Sequence, residues 1–269
     1  MRVRGRGRGA AFLLIGLLLL QILGGLSSPV SNLEIEPHSK HINSSLTDNG
    51  DGTWTVTYSI DMDTTLDSGN STTDRTGFPR FEVGWTNDRQ ETRIGLLALD
   101  LNAESFPTNT TIESASLELH LDVTSGPVDA QAWSILRDDW MLEESTWITR
   151  NVNSQWSSPG ALGNMDSGAW QDRQLILPNS SAIMFDVTQT VELAQYRQLN
   201  GQDSRAGFLL TPGFGSGTGV ASFHSSESSL PSHRPVLEIT FRWAPPSFLS
   251  SSPSWVDIQP KLGISDADS

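Results

Sequence analysis

Residues 53–60 read TWTVTYSI, and no other stretch constrains the fold as tightly. Trp54, Val56, Tyr58 and Ile60 alternate with threonines and a serine. A period of two places the apolar set on one face of an extended strand, which is not the spacing of an amphipathic helix. The Asn, Asp and Gly residues at 48–52 supply a turn leading into it. Further strands are expected at 80–85 (RFEVGW), 92–101 (TRIGLLALDL), 114–123 (SASLELHLDV), 130–137 (AQAWSILR), 207–212 (GFLLTP), 219–226 (GVASFHSS) and 235–243 (PVLEITFRW). The one helical pattern is DVTQTVELAQYRQL at 186–199. There Val187, Val191 and Ala194 share a face, and Asn200-Gly201 ends the run. Many half-buried strands with one short helix predict an all-β, jelly-roll-like antiparallel β-sandwich.

The limits of that domain follow from composition. Arg2, Arg4, Arg6 and Arg8 precede the apolar run 10–26, and small residues follow at 24–28. That order reads as a secretory signal peptide over 1–28, with an uncleaved membrane anchor as the lesser alternative. Polar residues 29–49 read as a lead-in, 50–243 as the folded domain, and 244–269 as a Pro/Ser-rich linker and tail. The chain has no cysteine, so an exported domain of this kind must rest on its hydrophobic core. Sequons at Asn43, Asn70, Asn109 and Asn179 agree with an exported, glycosylated surface. Together these point to a secreted, extracellular or cell-surface location. Without the four leader arginines, 13 basic residues face 31 acidic ones. Such a field repels nucleic acid, and a polyanionic partner would need a local arginine cluster or a bridging cation.

The densest chemistry lies in RDDWMLEESTWITR at 137–150. Paired acids beside aromatic rings suit a glycosidase, whose two carboxyls stand about 5 Å or about 6.5–9.5 Å apart across one sugar bond. In an extended segment, however, Glu143 and Glu144 point to opposite faces, as do Asp138 and Asp139. The segment therefore reads as architecture.

Five segments in order resemble the DNRLRE domain, also called the disaggregatase-related repeat and classed as carbohydrate-binding module family 96. TRIGLLALDL with TTIESASLELHL resembles its opening strands. RDDWMLEESTW resembles its W-x-E-x-x-x-T-W segment, and QWSSPGALGNMDSG its Trp–Pro–Gly loop. FDVTQTVELAQ resembles its strand-to-helix step, and SFHSSESSLPSHRPVLEITF its closing strands. Two places depart from the pattern: Leu97-Ala98-Leu99, and the stretch 192–195, which has no tryptophan. The resemblance implies a jelly-roll sandwich that binds an extracellular polysaccharide and does not itself catalyse. It gives structural roles to Trp140, Glu144, Trp147, Trp156, Asp186 and Glu227, with Glu144 bonded to backbone or to an arginine.

Sugar recognition needs flat rings to stack on a pyranose and polar groups to catch hydroxyls. Trp85 and Trp170, beside polar turns, are the candidate stacking rings. Arg93 and Arg234 are the candidates for an acidic glycan, since a guanidinium grips a carboxylate with two parallel bonds; Arg137 and Arg173 are fainter ones. His120 and His224 are two strand histidines without zinc spacing. Residues 225–227 (SSE) lack a nucleophile elbow, and GFGSGTG at 213–219 lacks the Lys and helix of a phosphate loop. The acidic turn at 48–52 departs from an EF-hand at Gly50 and Ser59. No cofactor is implied. Acidic loops leave room for a structural calcium ion whose ligands the sequence does not identify.

Overall fold

The structure is a computed structural model and describes residues 45–86, 89–101, 110–215 and 217–243. The cationic head, most of the lead-in, Asn43, Asn109 and the Pro/Ser tail lie outside the described residues.

Fourteen strands and one α-helix are seen among the described residues. They are β1 (Ser45–Asp48), β2 (Thr53–Ser59), β3 (Met62–Asp67), β4 (Arg80–Thr86), β5 (Glu91–Asp100), β6 (Thr110–Thr124), β7 (Val128–Ile135), β8 (Thr149–Asn151), β9 (Ser154–Gln155), β10 (Ser167–Ile176), β11 (Ala182–Asp186), α1 (Thr188–Leu199), β12 (Arg205–Pro212), β13 (Val220–His224) and β14 (Val236–Trp243). β8 and β9 pair only with each other. The other twelve strands form one curled sheet in the order β1-β2-β14-β6-β13-β4-β5-β12-β7-β10, with β11 also on β6 and β3 also on β5. Every pairing is antiparallel. The result is an all-β sandwich carrying one helix.

The sheet curls because β6 serves both layers. Its first part pairs with β14 and β11, and its last residues pair with β13 across a register shift between Leu121 and Val123. A bulge at that point bends the strand and turns the corner. The inner faces then close on each other around Val56, Tyr58, Phe81, Leu97, Leu117, Phe185, Phe208, Phe223 and Ile239. Val191 and Ala194 of α1 join the same core, as the helical spacing requires.

The turn at 48–52 is real, with Gly50 and Gly52 at φ of +77° and +85°. Asp48 accepts the Gly50 N–H and Asp51 accepts the Thr53 N–H and hydroxyl, so both acids are spent on turn bonds. The chain before the turn differs from the lead-in expected of it, because β1 pairs with β2 from Ser45 onward.

A second, smaller core lies on the outer side of the sheet. Leu66, Ile94, Leu96, Ala98, Ile135 and Leu209 are covered by Trp140, Leu142, Trp156 and Ala161 from the long β7–β10 connection. β5 is thereby buried on both faces, which is why IGLLAL is a continuous apolar run and does not alternate. Leu97-Ala98-Leu99, the departure from the family pattern, is this doubly covered stretch.

Candidate functional site

Leu142–Glu144 form a 3-10 turn and not the extended segment expected, and two of the four acids of 137–150, Asp139 and Glu144, are engaged by neighbouring residues. Asp139 takes two bonds from Arg150, at 2.9 and 2.7 Å, and that guanidinium lowers its pKa. Glu144 accepts the backbone N–H of Val152 at 2.9 Å, a backbone bond of the kind the resemblance implied. Arg137 donates to the buried Asp166 at 3.3 Å. Trp140 and Trp156 are buried, and the Trp156 Nε1–H donates to the Thr146 carbonyl at 3.0 Å. Trp147 is half-buried against the outer core. Asp186, just ahead of α1, accepts the N–H and hydroxyl of Thr188. Glu227 is exposed. This segment is a lid of indoles tied down by its own acids.

The four candidate sugar-binding residues stand apart from one another. Arg93 on β5 is bonded to Glu82, and its Nη2 lies 3.6 Å from the buried Asp67. Arg234 spends Nε and Nη2 on the Ser228 carbonyl, both at 3.0 Å. Trp85 is half-buried, with an Nε1–H that has no partner among the described residues. Trp170, by contrast, is 49 % exposed. Of the sequons, Asn70 and Asn179 lie on exposed turns.

Trp170 sits in an open platform. It lies opposite Trp133 across the β7–β10 pair, followed by Arg173 opposite Gln131 and Leu175 opposite Asp129. Directly opposed residues share a face. Trp133 packs on the outer core, so this is the outer face. The Trp133 Nε1–H donates to Thr211 at 2.9 Å. Arg173, half-exposed, is clamped to the buried Asp129 through Nε at 2.6 Å and through Nη2. Asp129 raises the guanidinium's pKa and fixes its direction. A half-open indole beside a held guanidinium and a glutamine offers a pyranose one stacking surface and polar partners for its hydroxyls.

A separate cavity of about 190 Å³ opens among Thr65, Arg75, Phe78, Arg80, Glu82 and Ser222. Drug-sized sites run from about 300 Å³ upward, so this volume suits a single sugar-sized group. Arg75 reaches Asp67 at 2.5 Å and Glu82 at 3.6 Å, joining the Arg93 network below. Phe78, 54 % exposed, forms part of the rim.

Beside the cavity, His120, His224 and His233 come together. The His233 ring stacks on His120 at 5.0 Å and lies 4.9 Å from His224. Ser228, His224 and Asp122 form a chain, with Nδ1 3.0 Å from Ser228 Oγ and Nε2 3.6 Å from Asp122. It has the members of a hydrolytic triad without the access: Ser228 is 2 % exposed and its oxygen already accepts the Leu230 N–H. Among the described residues, no group of three His, Asp or Glu is arranged to hold a metal ion.

Sequence reading missed Trp133, Gln131, Arg75, Phe78, Arg80 and His233. They lie on different strands and loops, and only strand pairing brings them together. The nearest signal was the exposed Phe78-Pro79-Arg80 step just before a strand. Neither the family models nor the curated proteins give a match to this chain.

Proposed function

We propose that this is an exported, non-catalytic carbohydrate-binding domain that recognises an extracellular polysaccharide, neutral or acidic, at the cell surface or in the medium. The reading rests on the half-exposed Trp170 indole beside Trp133, Gln131 and Arg173. An indole kept open to water forgoes burial worth about 2 kcal/mol or more, a cost that stacking on a sugar ring would recover. The engagement of Asp139 by Arg150 and of Glu144 by the Val152 N–H argues for binding without bond cleavage.

Retention on a panel of insoluble and acidic polysaccharides tests this reading. Wild-type protein is expected to be held by at least one glycan and released by the free oligosaccharide. Trp170→Ala is expected to lose about tenfold or more in affinity with its melting temperature nearly unchanged. Retention that survives this substitution would move the site elsewhere. No retention on any glycan would favour a structural or adhesive surface domain, a reading supported by the internal engagement of Arg93 and Arg234. Release of reducing ends in proportion to protein would instead mean an enzyme.

A further inference from the structure

The cavity at Arg80 and the histidines beside it form one outer-face patch. Arg80 and Glu82 of β4 lie opposite His224 and Ser222 of β13, and β13 pairs onward with β6, which brings His120 and Asp122. Arg80 Nε donates to Asp122 Oδ2 at 2.9 Å, while His224 Nε2 waits 3.6 Å from the other oxygen of the same carboxylate. Resting on the glycan-binding reading above, we propose that the three histidines gate this cavity: on protonation they draw Asp122 away from Arg80 and free its guanidinium for a bound sugar.

Hydrogen-bond partners assign the neutral tautomer of His224. Asp122, an ionised carboxylate, can only accept, whereas the Ser228 hydroxyl can donate to Nδ1 while its oxygen accepts the Leu230 N–H. That leaves the His224 hydrogen on Nε2, facing Asp122. A proton added at Nδ1 needs only a turn of the serine hydroxyl. It makes Nε2–H a cationic donor, which competes for Asp122 through a charge-assisted bond.

Local charge gives the gate its direction. Arg75, Arg80 and Arg93 face four carboxylates, those of Asp67, Glu82, Asp122 and Glu118. With neutral histidines these charges, Arg234 included, balance; each proton on the cluster tips the patch toward positive and so toward an anionic sugar. Burial lowers the His224 pKa, Asp122 raises it, and His233, Arg80 and His120 lower it further. Opening therefore belongs to mildly acidic water. Rings about 5 Å apart repel once charged, so the protons enter in steps. Of the groups around them, Glu118 lies 3.3 Å from His120 Nε2, and Arg234 is held by the Ser228 carbonyl. β11 brings Ala182 opposite His120 and Met184 opposite Glu118, and β14 brings Val236 opposite Glu118, none of them charged. His233 Nδ1 is buried with no partner among the described residues.

The test titrates the full chain with an oligogalacturonide and a neutral cello-oligosaccharide of equal length, at pH 5.0 and 7.5. The uronate is ionised at both values, so any pH effect belongs to the protein. The uronide is expected to bind about tenfold tighter at pH 5.0, and the neutral probe to change less. Arg80→Gln and the double variant His224→Gln/His233→Gln should each abolish the gain. Uronide affinity equal at both pH values, or a gain surviving both variants, overturns the gate while leaving glycan binding intact. A second measurement needs no ligand. By NMR, Arg80→Gln should raise the His224 titration midpoint, because Asp122 is then left to the histidine alone. An unmoved midpoint overturns the gate even if neither probe binds.

Discussion

Asp63 offers the sharpest test of the energetics. It lies on β3, 5 % exposed, and its Oδ2 accepts the Ser226 N–H at 2.6 Å. Burial raises its pKa to about 6 against the opposing pull of the Ser226 bonds, with Glu227 adding to the rise. In an unfolded chain an aspartate titrates near 3.9. Between about pH 4 and 6 the folded protein therefore binds more protons than the unfolded one, and stability falls as pH rises through that window. Above pH 6 the full loss has been incurred. Two pKa units correspond to about 3 kcal/mol. Asp63→Asn keeps an oxygen for the Ser226 N–H and removes the buried charge. At pH 7.5 the variant should be more stable than wild type by up to about 3 kcal/mol, or about 6–12 °C in Tm for a domain of this size. At pH 4 the two should be equal. Urea unfolding of both proteins across pH 4–8 measures the difference. A gap that does not vary with pH, or a wild type that is the more stable at pH 7.5, would refute the reasoning.

Two further substitutions test the outer layer and the sheet. Trp140→Ala removes the largest fully buried side chain from the lid, under a guanidinium of Arg205 that lies 5.3 Å above its ring. It should cost about 3–5 kcal/mol, seen as a lower denaturant midpoint, and a loss under 1 kcal/mol would mean that the lid is not part of the cooperative core. Gly84→Ala forces a side chain onto a φ of +152°, where its Cβ would overlap the Gly219 carbonyl and lie 2.6 Å from Val220 Cα. Backbone cannot rotate aside as a side chain can, so the expected cost is about 3 kcal/mol or more, read by thermal unfolding.

Much of the fold was legible because strand period and burial coincide. Residues 53–60 fell where alternation put them, and Val187, Val191 and Ala194 turned inward as helical spacing demands. β3, β10 and β11 were not legible. In β3 the buried positions include Asp63, Thr64, Thr65 and Asp67, whose burial comes from neighbouring strands and not from their own hydrophobicity. β10 carries bulges at Trp170, so its pattern slips off the period of two. The site was legible at Trp170 and, more faintly, at Arg173. Arg93 and Arg234 were reasonable choices by residue type, but the acid and the carbonyl that occupy them lie far along the chain or around a turn.

The sequence by itself determined an antiparallel β architecture, one helix, and an indole-rich connection that acts as structure, because all three are written in local periodicity and side-chain type. Tertiary structure alone decided which tryptophan stays open, which arginine lines a cavity, and that three histidines 104 or more positions apart, or only nine apart, share one patch. Strand register sets those neighbours, and register depends on how whole faces pack together, which no short window of residues contains.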